Sequence, residues 1–263
     1  MLMLKAAWHY KHFIWSSIKS EINGKYARSK LGGVWLFIQP LAQAAILAIV
    51  LSQLLGARMS GIDSDYAYAV YLLSGMLAWN LFSEATSSAV SMFRDRANLL
   101  KKVNFPRICI PAIVVGTALT NHAMMMIVVV SIVAFLGVLP QSALLLLPLL
   151  ILLNIVFAVS LGLILAIFDV FLRDVGHAWQ VFLQFWFWLT PIVYAPDILP
   201  APVKAFMQYN PMYHIVHSYQ QVIAYGQLPN AAPLIVLSII TLALVALGGF
   251  LFVRASNDVV DAL

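Results

Sequence analysis

A chain of 263 residues in which 63% are hydrophobic and only 10% carry charge cannot clothe itself in a water-facing shell, because soluble domains devote about a quarter of their residues to charge. Its mean hydropathy of +0.93 makes lipid the solvent for most of its surface, and the length suits a single bundle of helices. The net charge of +5 does not call for nucleic acid: the cations cluster beside apolar segments, where they set membrane orientation and meet anionic lipid heads.

Residues 1–33 begin with an amphipathic stretch over 3–26. Leu4, Ala7, Trp8, Ile14, Trp15, Ile18, Ile22 and Tyr26 share one helical face, and Lys5, His9, His12, Ser16, Lys19 and Ser20 the other. Such a helix lies in the inner membrane interface, with Lys11 interrupting the apolar stripe and snorkelling. It ends in "KYARSKLGGVW" (25–35). There Gly32-Gly33 lets the chain turn from lying along the membrane to crossing it, and Trp35 sits at the level of the lipid heads. Lys25, Arg28 and Lys30 there read as a topology signal beside the inner lipid heads.

Six segments offer the roughly 20 apolar residues that a crossing helix needs: 34–55, 66–90, 108–139, 144–168, 175–194 and 234–253. The first begins only at Val34 and is too long for a signal-peptide core, so no cleavage is expected. Segment 66–90 carries Glu84. No Asp, Glu, Lys or Arg occurs from 108 to 168, and Pro140-Gln141-Ser142 is the one turn signal there. Pro191 and Pro196 stop or kink the fifth segment. The single cysteine, Cys109, excludes an internal disulfide.

Lys and Arg number six in 1–33, five in 91–107, one in 169–174 and one in the tail, against one in 57–65, none in 140–143 and one in 195–233. Thirteen against two places both termini in the cytoplasm. Loop 91–107, "SMFRDRANLLKKVNFPR", mixes cations with Phe93, Leu99, Leu100, Val103 and Phe105. That mixture suits a short amphipathic helix docking in a groove of another protein. Contact of its cations with anionic lipid heads, or a topology signal alone, are the other readings. Residues 195–233 are too polar to span and too apolar for a free loop. They read as two short helices broken at Asn210-Pro211, dipping into the outer leaflet, where backbone must be covered by protein or line an aqueous cavity.

Catalytic signatures are missing: no phosphate-binding loop, H-E-x-x-H, C-x-x-C or G-x-S-x-G occurs. No metal site is expected at His9/His12 or His214/His217, and no cofactor is expected on this chain. Glu84 is the one deep ionisable candidate, serving either a bond to a neighbouring span or subunit, or substrate. Asp169 and Arg173, spaced to pair on one helical face, stand with Asp174 at the end of the fourth segment, as a charged cap or as a polar hinge at an inner gate. Tyr71, Trp79, Phe82, Trp186, Trp188 and Tyr194 form either an interfacial aromatic belt or stacking surfaces along a channel.

Six stretches in register, "RSKLGGVWLFIQPL" (28–41), "YLLSGMLAWNLFSEATSSAV" (71–90), "NLLKKVNFPR" (98–107), "FLRDV" (171–175), "FWFWLTPIVYAPDILP" (185–200) and "YNPMYHIV" (209–216), resemble the permease subunit of type-2 ATP-binding-cassette exporters. The likeness is to the polysaccharide branch (O-antigen, capsule and teichoic acid), nearest its O-antigen members. The resemblance implies an all-α, six-span homodimer in the bacterial inner membrane. Each copy would bind a separate ATPase subunit, which holds the ATP and Mg, so the chain itself is no enzyme. It implies a coupling helix carrying Phe93, Arg94, Asn98, Leu99, Lys101, Lys102, Phe105 and Arg107, an N-terminal interface helix and periplasmic re-entrant helices. The implied substrate is a glycan linked through pyrophosphate to undecaprenol, with Lys25, Arg28 and Lys30 as candidate pyrophosphate contacts. Export of a small lipid or drug by the same architecture is the alternative. A membrane enzyme acting on lipid-linked sugar is more remote, since the outer loop offers only Asp197, His214 and His217.

Overall fold

The computed structural model describes residues 8–26, 32–35, 38, 41–42, 46, 67–102, 105–135 and 143–262. Among them there are helices and turns and no strand. The helices are α1 (Lys11–Tyr26), α2 (Ala67–Val90), α3 (Met92–Asp95), α4 (Ala97–Lys102), α5 (Cys109–Phe135), α6 (Leu147–Phe171), α7 (Asp174–Trp188), α8 (Ala201–Met207), α9 (Pro211–Ile223) and α10 (Ala231–Ala262). Most of segment 34–55, with Arg28 and Lys30, lies outside the described residues; Lys25 is in the last turn of α1, its side chain also outside them.

Cys109–Phe135, Ala143–Phe171 and Ala231–Ala255 are long and apolar enough to cross a membrane. At 24 residues α2 is long enough too, but Asn80, Glu84 and a run of Ser and Thr lower its hydropathy. It is correspondingly the most enclosed helix, with Leu72, Leu77, Ala78 and Phe82 fully buried. Helix α6 packs along it, and α5 and α9 cover other faces; α10 lies on the far side of α6.

The close approach of α2 and α6 follows from side-chain size. Ala158, Gly162 and Ala166, one turn apart on α6, are buried and let the backbones meet, as small residues at four-residue spacing do in membrane helices. A Cβ on Gly162 would come within 2.5 Å of the Ala89 Cβ and 3.1 Å of the Thr86 carbonyl. Asn154 adds a hydrogen bond from its Nδ2 to the Ala78 carbonyl at 2.9 Å, and Phe82 stacks on Phe157.

Helix α1 lies against α5. Ile18 is buried at Gly116, Thr117 Oγ1 donates to Glu21 Oε2 at 3.0 Å, and Arg96 pairs with Glu21. The apolar stripe expected on this helix is split. Ile14 and Ile18 turn toward the protein together with Phe13, while Trp8 and Trp15 are 74% and 65% exposed. Lys11 holds its ammonium over the Trp8 ring, 5.3 Å from its centroid, a cation–π contact. The protein covers neither tryptophan.

The fifth expected span, 175–194, is helical only to Trp188. Pro191 has no N–H to continue the ladder, and the chain turns through residues 189–195 before the short helices α8 and α9.

Candidate functional site

Two places gather the residues singled out by sequence. The first is the end of the bundle where α2 passes through α3 and α4 into α5 and where α6 turns into α7. Asp169, 1% exposed, receives Arg94 Nη1 at 2.9 Å from Oδ2 and 3.1 Å from Oδ1. Its Oδ1 also accepts the backbone N–H of Gly176 at 2.8 Å. A Cβ on Gly176 would lie 2.8 Å from that oxygen, so a side chain there would collide with the carboxylate. The expected Asp169–Arg173 pair does not form. Helix α6 ends at Phe171 and Leu172 is extended, so 169 and 173 do not share a helical face. Asp169 turns to Arg94 instead, while Arg173 and Asp174 are exposed.

Among the described residues of 91–107, Phe93 and Phe105 face this chain's own interior. Phe93 is buried and stacks on Phe252 of α10, 6.0 Å between centroids. Phe105 is buried against Phe13 at 5.1 Å, and Leu99 and Leu100 pack beside them. What the segment leaves at the surface is polar: Arg94, Asn98 and Lys101 are exposed. Arg107 is half-buried and engaged by its surroundings; the side chain of Lys102 lies outside the described residues. Glu21, which no pattern singled out, ties α1 to this segment through Arg96.

The second place is the opposite end of α2. The broken backbone after Trp188 frees carbonyls, and where the chain is buried over 190–193 neighbouring side chains must supply donors. Tyr71 donates from its hydroxyl to the Pro191 and Tyr194 carbonyls at 3.2 and 3.1 Å. Tyr68 donates to the Val193 carbonyl at 2.8 Å, and Gln220 Nε2 to Pro191 at 3.2 Å. Asn210 caps α9, its Oδ1 accepting from Met212 N at 3.0 Å and from Trp186 Nε1 at 2.8 Å. Its Nδ2 donates to Thr190 Oγ1 at 3.0 Å.

The structure brings most of the aromatic candidates together. Tyr71, Trp79 and Phe82 are buried within the chain. Trp186 sits edge-on to Phe82 at 5.1 Å and to Trp79 at 6.3 Å. Trp188, two residues on, points the other way and is 60% exposed, as is its neighbour Phe185 at 67%. Tyr194 is half-buried, its hydroxyl donating to the Trp188 carbonyl at 2.9 Å. Composition could not distinguish a ring packed between helices from one facing out.

Glu84 faces α5 and accepts from Asn121 Nδ2 at 2.6 Å. It is thus engaged with a neighbouring helix.

The ABC-2 type transporter family matches residues 12–224, most of the chain. The chain belongs to that family. Among its relatives, the O-antigen export system permease protein RfbA of Myxococcus xanthus is 24% identical over 263 residues, 99% of each chain. A protein of the same name from Klebsiella pneumoniae is 24% identical over 212 residues, 79% of this chain and 78% of that one. The matched stretch of this ABC-2 chain includes both ends of α2 described above, so the bracing of α3 by Asp169 and the clasped backbone after Trp188 fall within the family's shared region.

Proposed function

We propose that the chain is the permease subunit of an ATP-driven exporter in the bacterial inner membrane, moving undecaprenyl-pyrophosphate-linked polysaccharide of the O-antigen class from cytoplasm to periplasm. It acts as a homodimer of six-span subunits, each bound to an ATPase subunit that carries the ATP and Mg. The observation that carries the proposal is the full-length similarity to a permease named for O-antigen export, within a family of transporters.

The geometry supplies a route for force. Helices α3 and α4 present Arg94, Asn98 and Lys101 outward and rest through Phe93 on α10 and through Arg94 on the α6–α7 turn. An ATPase pressing on that surface would push on several crossing helices at once. Exposed rings on α7, Phe185 and Trp188, are the aromatic faces left for a second subunit or for sugar rings, whose C–H faces stack on aromatics. Lys25, Arg28 and Lys30 would draw the pyrophosphate to the inner rim.

The test replaces Lys101 and Lys102 by Glu in the complex with its ATPase. Export should be lost while ATP hydrolysis persists, and undiminished export would overturn the coupling role. Depleting the chain in its host should leave undecaprenyl-linked glycan on the cytoplasmic side; absence of that accumulation would overturn the substrate.

A further inference from the structure

A cavity of about 840 Å³ lies between α9 and the first turns of α10, apart from the residues assigned above. Its two walls are opposite in character. From α9 it is lined by His214, His217, Ser218 and Gln221, spaced i, i+3, i+4 and i+7, which is one continuous helical face. From α10 it is lined by Pro233, Val236, Leu237 and Ile240, at the same spacing and wholly apolar.

Neither wall can satisfy the other. Part of the polar face is bonded internally: His214 Nε2 meets the Gln208 carbonyl at 2.8 Å, and Ser218 Oγ donates to the His214 carbonyl at 2.7 Å. Among the described residues the Gln221 side-chain amide has no bond, nor does that of Gln208 at the rim, and no well-directed bond reaches the buried His217 Nδ1. Water alone would satisfy these groups but wet the α10 stripe, and an alkyl chain alone would strand the amides, which is costly. An amphiphile, polar toward α9 and aliphatic toward α10, satisfies both.

The head can be specified further. Among the described residues no charged side chain lines the cavity, and Lys204 and Asp197 nearby are paired with each other at 2.9 Å. A phosphate head would therefore find among these lining residues none of the cations that bind it best. Amides, imidazole, phenol and hydroxyl each donate or accept, which matches sugar hydroxyls. The ring of His217 stacks on Tyr213, presenting a flat, uncharged wall. On the other side Val236 and Ile240 are 57% and 46% exposed and continue into the outward apolar face of α10, so an alkyl chain can enter sideways from lipid. The volume falls in the range of small-molecule sites.

We infer that the cavity between α9 and α10 binds a sugar-headed lipid, its uncharged hydroxylated head on the α9 face and its alkyl chain along Val236–Ile240. The inference rests on the proposed function only in setting α9 and α10 at a membrane surface.

The test uses the full chain in phosphatidylcholine nanodiscs with a photoreactive dodecyl maltoside, mapping adducts by peptide mass spectrometry. Labelling should concentrate in 208–221 and 230–240 and be competed by plain dodecyl maltoside. Gln221→Leu should weaken labelling about tenfold, the scale set by one lost hydrogen bond to a polar ligand. Val236→Trp, which fills the cavity from an exposed position, should abolish it without lowering the melting temperature. Equal competition by dodecylphosphocholine would show that the head is not read, and equal competition by free maltose that the chain is not needed; either overturns the inference, as does unchanged labelling of both variants. The assay needs neither ATPase nor transport. Lost export with intact labelling therefore counts against the export proposal alone, and lost labelling with intact export against this site alone.

Discussion

Arg94 and Asp169, 75 residues apart in sequence, meet at 2.9 Å with the carboxylate buried and the guanidinium 40% exposed. The pair joins the short helix after α2 to the turn between α6 and α7, and the N–H of Gly176 completes it from the α7 side. Three segments are thus referred to one buried charge, at the end of the bundle where the proposed ATPase would press.

Removing one partner of a buried pair costs more than the pair contributes, because the other charge is left stranded. Arg94→Ala should therefore destabilise the protein by about 1–3 kcal/mol, the lower range applying because water reaches the exposed guanidinium. Asp169→Asn should be milder, since an amide oxygen still accepts from Gly176 and Arg94 can turn to solvent. The double variant should recover part of the Arg94→Ala loss. Thermal unfolding of the detergent-purified protein measures all three; additive losses would mean that the two residues are not coupled.

Gly162→Ala tests the α2–α6 seam. Its new methyl would come within 2.5 Å of Ala89 and 3.1 Å of the Thr86 backbone, so the helices must part, at about 1–3 kcal/mol as for other overpacked cores. Gly249→Ala on α10 is the control, because nothing lies within 4 Å of a Cβ there. It should be neutral or stabilising by up to about 1 kcal/mol through helix propensity. Equal melting temperatures for the two variants would refute the packing argument.

The helical class was legible because long uncharged apolar runs leave no other structure in lipid. The break at Asn210-Pro211 could be read as well, from an N-cap residue preceding a proline at the first helical position. The side-chain assignments were not. Hydropathy reports that Tyr71, Trp79 and Phe82 are buried in something, and cannot distinguish lipid, a channel or another helix. Asp169 and Arg173 carry a helical spacing, but the helix ends between them. The partners of Glu21, Asn154 and Gln220 lie dozens of residues away or on bare carbonyls, and no local pattern encodes those. One signal was available: a proline in an apolar segment frees carbonyls that must find donors, and Tyr68, Tyr71 and Gln220 are those donors.

Asn210→Ala should be among the more damaging polar substitutions at this end of the bundle. It removes the cap of α9, worth about 1 kcal/mol, and strands the Trp186 indole N–H, worth about another 1–3 kcal/mol. Trp186→Phe removes only the donor and should cost about 1 kcal/mol from the bond, plus whatever its smaller ring leaves unfilled. If Asn210→Ala melts no lower than Trp186→Phe, the capping role fails. Loss of α9 helicity by hydrogen exchange at 211–223 would locate the effect.

His217 makes stability depend on pH in a definite direction. Burial, the largest influence, lowers its pKa from the ordinary 6.5; Asp197 opposes this, His214 reinforces it, and Gln220 beside the ring opposes it. The folded state therefore holds the neutral imidazole, and the unfolded chain binds a proton more readily. This contribution is fully present above about pH 6.5 and declines as the pH falls from there toward the lowered folded pKa, below which it levels off. His217→Gln removes the titration while keeping a polar side chain. The melting temperature of the wild type should thus fall relative to the variant between about pH 7.5 and pH 5. A constant difference across that interval would mean that His217 is not buried as a neutral ring. Because Tyr213 stacks on this imidazole, acidification should also loosen the α9 wall of the cavity, so labelling by the maltoside probe should weaken over the same interval.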